Sequence, residues 1–500
     1  MHGSLPKRYV LTLMALMAST LSIALQTSLT LTIVYMVKPS QDESPFTTPN
    51  ECSALRNISF NASNHSKYTD SSKRFDWSTE IQGYAIGFQF VGMIFGYVPG
   101  GRLGELYGAK DTMICSILIA SIFTILSTIA ARISPYVFII CRVIVGLGTA
   151  PIFPIFVIMI SKWIPESERT LISSIMLAGY GAGASVAYLV AGALCSSDFL
   201  GGWPSVFYSS GAVGIIWCVL CYFLVYESPE NHPTISLKEL EYLQKSIGRP
   251  PKEMKWIPWK SMATSVPVWS LAIGTFGQYW LLAFFVTSHA LYLGTVLNIE
   301  STQNGLLSCV PNILRAIFAC VVGGAIDWVR SRREFPVVYF RKGVTLCNAI
   351  VACLGFIGVM YAGCDAILAT VAFIMGGLCG DFCIFGVALV PTDIAPSIRG
   401  TLAGILCSVG SIPYFLLPAM IGIFTKHEQS MRQWKYVYYC TIGVTIVTTI
   451  IYVCFGTSDP QPWGIENNNS NENPKNKEEE KQREKTDSDT NGLPHSTYHL

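Results

Sequence analysis

The chain has 500 residues, of which 51% are hydrophobic and only 13% are charged. Soluble proteins carry about 25% charged residues, so this composition excludes an ordinary soluble domain, and the recurring apolar runs predict a polytopic helical membrane protein. The net charge of +2 argues against a nucleic-acid partner. The 16 cysteines show neither a zinc-type spacing nor a disulfide framework.

Twelve apolar runs predict twelve membrane-spanning helices. The first run follows Lys7 and Arg8 and is too long for the core of a signal peptide, so we interpret it as the first span. The expected spans are residues 10–37, 80–101, 112–131, 135–160, 168–194, 204–226, 267–294, 303–326, 337–362, 365–391, 399–424 and 434–457.

The cations of the short loops predict the orientation of the chain. One side holds only Arg132, Lys426, Arg432 and Lys435, and the other side, with many more, is expected to be cytoplasmic, together with both termini. The cations on that second side are Lys7, Arg8, Arg102, Lys110, Lys162, Arg169, Arg330, Arg332, Arg333, Arg341, Lys342 and Arg399.

The loop of residues 38–79 is then extracytoplasmic. It contains three Asn-x-Ser sequons, at Asn57, Asn61 and Asn64, which predict a glycosylated outer loop and a eukaryotic source.

The domain organisation follows from the spans. Residues 1–226 are expected to form one six-helix bundle and residues 267–457 a second one, with a charged cytoplasmic loop at 227–266 and a disordered cytoplasmic tail at 458–500. Within the loop, Ser236 to Glu239 has the form of a capping box. It predicts a short amphipathic helix to about Ile247, for which a solvated surface position is a sufficient interpretation.

An internal repeat relates the two halves. Gly101 to Glu105 lies between spans 2 and 3, and Gly323 to Asp327 lies between spans 8 and 9, 222 residues later. Each places a carboxylate beside cations at a cytoplasmic helix end. Two related six-span halves are typical of secondary transporters.

Arg142 is the leading candidate for a site residue. It shares a helical face with Gly146, Thr149 and Phe153 within an apolar run. An arginine at membrane depth is costly and usually faces a protein interior or a water-filled cavity. We interpret this face as a wall of a transport pathway; a structural arginine bonded to a neighbouring helix is the alternative.

Further polar positions extend the candidate site. Arg315 in span 8 shares a face with Asn312, and Asp381 lies in span 10. We hypothesise that Arg315 pairs with Asp381 or binds an anion; a buried structural ion pair is the alternative. Asp381 is also the one carboxylate within the predicted spans that is a candidate for proton coupling. The remaining pathway candidates are Gln26, Gln278 and Tyr180, and the candidates for a cytoplasmic gate are Gly101, Glu105, Lys110, Asp327, Arg330 and Arg169, together with Lys162 and Glu168.

Several motifs resemble those of the major facilitator superfamily. Gly101-x-Leu103-x-Glu105-x-x-Gly108-x-Lys110 is similar to its signature between spans 2 and 3, and Arg142-x-x-x-Gly146-x-Gly148-x-Ala150 is similar to its fourth-span motif. The resemblance implies an all-α fold of two six-helix bundles around a central cavity.

Other blocks resemble the anion-transporter family of sialin, the vesicular glutamate transporters and the sodium–phosphate cotransporters. They include Ser161-Lys162-Trp163-x-Pro165, Pro229-Glu230-x-His232-Pro233, Asp393-Ile394-Ala395-Pro396 and Gln461-Pro462-Trp463. Three positions depart from that family: Gln26 replaces an arginine, Thr149 a glutamate and Pro391 a histidine. The departures put the substrate and the coupling ion in doubt.

The resulting expectation is a secondary active transporter of small organic or inorganic anions, driven by a sodium, proton or voltage gradient. No phosphate-binding loop, metal pair or nucleophile elbow is present in the sequence, so no enzyme activity and no cofactor are expected. The alternatives are a receptor that binds a solute without moving it and a facilitator of neutral solutes. The resemblance is compatible with the plasma membrane and with lysosomal or vesicular membranes.

Overall fold

The structure, a computed structural model, describes residues 6–37, 75–165, 167–195, 197, 199–247, 254, 256–295, 301–330, 332, 336–363, 365–380, 382, 384–425 and 431–464. These residues are largely helical, and the extended pairing found among them is one isolated bridge between Val37 and Phe75. The helices are α1 (Lys7–Met36), α2 (Thr79–Tyr107), α3 (Ala109–Ile133), α4 (Pro135–Thr149), α5 (Ile152–Trp163), α6 (Arg169–Cys195), α7 (Pro204–Leu224), α8 (Leu237–Ile247), α9 (Trp259–Ala263), α10 (Val266–Thr295), α11 (Ser301–Arg330), α12 (Val337–Ala362), α13 (Ala366–Gly377), α14 (Pro391–Ile394), α15 (Arg399–Thr425) and α16 (Met431–Phe455).

Ten of these stretches are long and apolar enough to cross a bilayer. They are α1, α2, α3, the α4–α5 pair, α6, α7, α10, α12, α15 and α16. The two further spans expected at 303–326 and 365–391 fall on α11, which has 30 residues, and on α13, whose apolar stretch Ile367–Gly377 is shorter. The described helices therefore follow the predicted order of spans. The sequons at Asn57, Asn61 and Asn64 lie outside the described residues.

Two spans that we expected to be continuous are broken. The span at 135–160 is interrupted between α4 and α5 at Pro151, where proline cannot donate a backbone hydrogen bond, and it continues to Trp163. The span at 365–391 ends as an α-helix at Gly377, and a π-helical turn, Ile384–Ala388, follows before α14. Breaks of this kind are tolerated at membrane depth where the freed backbone groups lie inside protein.

Local sequence explains where several helices begin. Ser78 and Ser134 accept hydrogen bonds from backbone N–H groups in the first turns of α2 and α4, and Asp365 does the same for α13. Between α2 and α3 the chain turns at Gly108 with φ +106°, a left-handed conformation that favours glycine. Each cap satisfies backbone donors that would otherwise be lost at a helix end.

The helices form two bundles, an N-terminal bundle of α1–α7 and a C-terminal bundle of α10–α16. Between the bundles, the most extensive packings are α2 along α15 and α6 along α11, and α5 also contacts α15. The related positions of these helices in the two halves agree with the internal repeat seen in the sequence.

The segment that connects the bundles contacts both of them: its first part packs on the N-terminal bundle and its last part on the C-terminal bundle. Two backbone N–H groups at the start of α1, of Lys7 and Arg8, donate to the carboxylate of Glu239 in α8. Farther along, the N–H of Met254 donates to the carbonyl of Ser397, just before α15. The amphipathic helix predicted to about Ile247 is present and mostly exposed, and in addition its Glu239 caps α1.

Candidate functional site

Glu105 at the end of α2 binds the first turn of α15. Its carboxylate accepts the backbone N–H of Thr401 at 2.7 Å and also the hydroxyl of Thr401. Arg102 lies 3.0 Å from the same carboxylate. Because Thr401 is the third residue of α15, Glu105 caps that helix with a negative charge, which the helix N-terminus favours. This contact joins the two bundles.

Asp327 at the end of α11 makes the equivalent contact from the C-terminal bundle to the N-terminal bundle. It accepts the backbone N–H of Leu171 at 2.8 Å, and Leu171 is the third residue of α6. The two carboxylates of the internal repeat thus each cap a helix of the other bundle. We call the end of the bundles where Glu105 and Asp327 lie the gate end.

Glycines bring the helices close at the gate end. A Cβ added at Gly101 would overlap the carbonyl of Gly400, and one added at Gly323 would overlap the hydroxyl of Ser174. Each glycine lies one helical turn before its capping carboxylate. The absence of a side chain is therefore what lets the backbones approach closely enough for the caps to form.

The contact between α2 and α15 continues away from the gate end. The two helices still touch where Ser408 donates to the carbonyl of Ile94 at 2.8 Å. Beyond that level, a Cβ added at Gly83, Gly87 or Gly422 would have no atom within 4 Å. Among the described residues, the closest backbone approach of α2 and α15 is therefore at the gate end.

The other predicted gate residues act within one bundle or cannot be placed. Lys110 donates its Nζ to the carbonyl of Tyr222, and its backbone N–H donates to Glu227. Arg169 is the first residue of α6, and the side chain of Arg330 lies outside the described residues. Lys110 therefore ties the N-terminal bundle to itself and does not join the two bundles.

Each bundle has its own ion pair at the gate end. Lys162 lies 2.6 Å from Glu227 in the N-terminal bundle, and Arg341 lies 2.6 Å from Asp393 in the C-terminal bundle. Sequence reasoning missed the second pair, although Asp393 belongs to one of the family-like blocks and Arg341 stands just inside an apolar run. These pairs hold each bundle together while leaving the bundles free to move against each other.

A cluster of tyrosines occupies the middle of the interface between the bundles. Tyr180 in α6 lies close to Ser22 in α1, and Tyr97 in α2 lies close to Ser411 in α15. Tyr279 in α10 lies with its hydroxyl 4.0 Å from the sulfur of Cys407. These residues stand near the middle of their helices, where substrate sites of two-bundle transporters are found.

Two of the predicted pathway residues border this midplane cluster. Tyr180 is one of its members, and Gln26 donates to the hydroxyl of Ser22 at 3.4 Å. On the side away from the gate, Phe90 of α2 stacks on Tyr414 of α15 at 5.5 Å between ring centroids. The sequence had not singled out Tyr97, Tyr279, Cys407 or Tyr414, because single tyrosines in apolar helices give no signal.

Gln278 is bound inside the C-terminal bundle. Its side-chain oxygen accepts a hydrogen bond from Asn348 of α12 at 2.5 Å, and both side chains are fully buried. This amide pair links α10 to α12. Among the described residues, it makes no hydrogen bond to the other bundle.

Arg142 is enclosed within the N-terminal bundle. Its side chain is fully buried, its Nη2 donates to Ser127 of α3 at 2.6 Å, and its guanidinium lies 5.4 and 5.1 Å from the rings of Phe138 and Phe207. Thr149 bonds to backbone carbonyls of its own helix. These contacts favour the structural alternative for Arg142, because they come from helices of the same bundle.

Arg315 is the second arginine at membrane depth. It is buried at the midpoint of α11, and its Cδ would lie 3.2 Å from a Cβ added at Gly380, in the turn that follows α13. Asp381, its hypothesised partner, and the side chain of Asn312 lie outside the described residues. The position of Arg315 beside Gly380 is compatible with the pairing, which stays a hypothesis.

Comparisons with known proteins identify the family. The sequence profile described as Major Facilitator Superfamily matches residues 9–341. Sialin of Ovis aries is 30% identical over 401 residues, which are 80% of each chain. Sodium-dependent phosphate transport protein 3 of Mus musculus is 26% identical over 460 residues, covering 92% of this chain and 95% of the relative. Vesicular glutamate transporter 2 of Bos taurus is 28% identical over 473 residues, covering 92% and 75%.

Solved structures show the same fold. The proton:xylose symporter XylE bound to 6-bromo-6-deoxy-D-glucose superposes with a TM-score of 0.64 at 14% identity, covering 91% of this chain and 97% of that one. A bacterial homologue of the lysosomal transporter Spinster superposes with a TM-score of 0.54 at 15% identity, covering 92% and 100%. The chain is a multi-pass membrane protein that belongs to the Major Facilitator Superfamily and, within it, to the anion-transporter family of sialin, the vesicular glutamate transporters and the sodium–phosphate cotransporters.

Proposed function

We propose that the protein is a secondary active transporter that moves a small organic or inorganic anion by alternating access. The reciprocal caps of Glu105 on α15 and Asp327 on α6 carry the proposal. They join the bundles at one end only, and such contacts must break when the bundles rock to expose a midplane site to the other side.

The strength of the caps suits this task. A hydrogen bond to a charged group contributes about 1.5–3 kcal/mol, so the three hydrogen bonds of the two caps contribute about 4.5–9 kcal/mol to the closed gate. Reversing a two-state equilibrium from 1:99 to 99:1 takes about 5.5 kcal/mol. The caps are therefore strong enough to hold the gate closed and weak enough for solute binding to release it.

We propose that the gate end is cytoplasmic. The described cations Arg102, Lys110, Lys162 and Arg341 stand at helix ends on this side, as the positive-inside rule expects. The family admits the plasma membrane and lysosomal or vesicular membranes.

The anion is expected to bind between the midplane cluster and Arg315. An arginine suits a carboxylate or a phosphate because its N–H groups can bond two oxygens at once. The positions that carry charge or histidine in the family are neutral here, at Gln26, Thr149 and Pro391. We therefore favour a sodium gradient or voltage as the driver over a proton gradient.

The experiment is uptake by the purified protein in proteoliposomes. Labelled phosphate, urate, glutamate, sialic acid and aspartate are offered in turn, while sodium, pH and voltage gradients are imposed separately. We expect one anion to accumulate under a sodium or voltage gradient, and Arg315→Gln to abolish the accumulation. Arg332→Gln, which neutralises an exposed arginine just after α11, should leave it unchanged.

A facilitator of neutral solutes is the second candidate. The enclosure of Arg142 within its own bundle favours it, since one of the two intramembrane arginines is then structural. Uptake that equilibrates without concentrating and does not depend on solute charge would establish this alternative. Binding without any uptake would instead indicate a non-transporting receptor.

A further inference from the structure

The short segment that leads into α10 is held against the gate end of the C-terminal bundle. The N–H of Met254 donates to the carbonyl of Ser397 at 3.2 Å, and Met262 of α9 is buried. The chain then has only two residues, Thr264 and Ser265, between the end of α9 at Ala263 and the start of α10 at Val266. Because α10 crosses the membrane, α9 must lie at the depth of the lipid headgroups.

The outer face of this segment is aromatic. Trp256 is 89% exposed, Trp259 is 53% exposed, and Trp269 in the first turn of α10 is 59% exposed. The indole N–H of Trp269 donates to the carbonyl of Ala263 at 2.7 Å, which ties the end of α9 to α10. Three exposed tryptophans within fourteen residues are costly in water, whereas a membrane interface accommodates their apolar rings and polar N–H groups.

The charge of the same stretch decides which interface it fits. Lys260 is exposed beside Trp259. The sequence from residue 245 to residue 260 is rich in cations and has one acidic residue, Glu253; the cations are Lys245, Arg249, Lys252, Lys255 and Lys260. Clusters of four to eight cations next to a membrane span are the usual mark of contact with anionic lipids.

We propose that Trp256, Trp259, Lys260 and Trp269 form an interfacial anchor that binds anionic phospholipid headgroups of the leaflet at the gate end. The anchor rests on the proposed cytoplasmic position of that end, where anionic lipids are concentrated. A second protein would be a less suitable occupant, because at this depth lipid headgroups already surround the segment.

The anchor is connected to the C-terminal bundle close to the gate. The anchored segment is bonded through Met254 to Ser397, two residues before the helix that Glu105 caps. Lipid bound to the anchor therefore stabilises the bundle at the place where the gate closes. We expect anionic lipid to raise the thermal stability of the protein more than zwitterionic lipid does.

The test uses the full-length purified protein and phosphatidylserine as the probe. Native mass spectrometry measures the ratio of bound phosphatidylserine to bound phosphatidylcholine after mixed-lipid exchange. Each cation near an anionic surface contributes about 1 kcal/mol, so Lys260→Gln should lower that ratio about fivefold. Trp256→Ala combined with Trp259→Ala should lower it further and abolish the rise in melting temperature on adding phosphatidylserine.

Tyr361→Ala is the matched control, because Tyr361 is an 86% exposed aromatic residue near the opposite end of α12. It should leave both readings unchanged. The substituted tryptophans are exposed, so the variants are expected to fold. The difference in acrylamide quenching between the wild type and Trp256→Phe gives an independent reading of Trp256. Unchanged lipid ratios in the variants, or a Trp256 contribution to quenching that is equal with and without phosphatidylserine, would overturn the proposal. The uptake assay is read separately, so failure of transport would not affect this result.

Discussion

Arg142 illustrates how much a single residue depends on its surroundings. A buried arginine in a membrane span is costly, and this one is accommodated only in part: Ser127 accepts from Nη2 and the faces of Phe138 and Phe207 flank the guanidinium, whereas Nε and Nη1 have no hydrogen-bond partner among the described residues. Cation–π contacts of this kind strengthen when they are desolvated. The guanidinium therefore holds α3, α4 and α7 together, and its charge is directed into the bundle.

The bond between Arg142 and Ser127 can be tested by removing the hydroxyl. We expect Ser127→Ala to destabilise the protein by about 1–2 kcal/mol, because a buried charged donor loses its acceptor. Thermal melting measures the change. Ser121→Ala in the same helix is the control, since its buried hydroxyl has no hydrogen-bond partner among the described residues. Lost uptake with unchanged melting would instead assign Arg142 to the pathway.

His232 makes the stability of the gate-end loop depend on pH. Burial against Trp163 and Tyr226 and the nearby charge of Lys7 lower the pKa of His232, while Glu239 opposes the shift in part. A lowered pKa means that the unfolded chain binds more protons than the native protein just below the ordinary value of about 6.5. The stability from neutral His232 is thus complete above that pH and is lost as the pH falls toward the lowered pKa.

We therefore expect the melting temperature to fall as the pH is lowered from about 7 to about 5. Protonation would also remove the acceptor at Nδ1 that binds the N–H of Thr234 at 3.2 Å. Melting curves of the wild type and of His232→Gln check this expectation. The variant should have a smaller pH dependence, and identical slopes would contradict the assignment.

At the scale of elements, the contact between α2 and α15 depends on glycine. Gly101 meets Gly400 backbone to backbone, whereas Gly323 of α11 meets the hydroxyl of Ser174, which can rotate away. The two halves of the repeat therefore have related geometry, but the position of Gly323 should tolerate a small side chain better than the position of Gly101.

Gly101→Ala is expected to prevent closure of the gate end, because its Cβ would overlap the carbonyl of Gly400 and backbone cannot yield as a side chain can. Accessibility of Thr401→Cys to a thiol reagent added from the gate side measures the opening and should rise in this variant. Gly87→Ala on the same helix meets open space and should change nothing. Equal accessibility in both variants would show that the contact does not govern the gate.

At the scale of the whole molecule, two bundles that are each held by their own ion pair are joined by caps at one end. Lys162–Glu227 and Arg341–Asp393 lie within bundles, and the caps of Glu105 and Asp327 lie between them. This division of contacts predicts that each bundle stays rigid and that the two bundles move against each other by breaking contacts between them.

A covalent link across the caps should therefore stop transport. In Glu105→Cys combined with Thr401→Cys, a short bifunctional thiol reagent is expected to lock the gate, so that solute still binds but no longer accumulates. The two single variants treated with the same reagent control for the native cysteines. Undiminished uptake by the cross-linked protein would contradict alternating access at this gate.

Much of the architecture was determined by the sequence alone. Apolar runs are long enough to reveal spans without tertiary information, because every backbone group in a bilayer must bond within its own helix. The repeat of Gly101–Glu105 at Gly323–Asp327 likewise identified the residues that meet at the gate end. The family followed from short blocks that occur in order along the chain.

Only the tertiary structure decided what these side chains contact. Periodicity assigned Arg142 to a helix face but could not say whether that face meets the other bundle or its own neighbours. It also passed over Tyr97, Tyr279 and Cys407, because an aromatic or sulfur side chain in an apolar helix looks like core until a second bundle approaches it. The breaks near Pro151 and Gly377 were missed for the same reason, since a bend is stable only where packed neighbours satisfy the freed backbone groups.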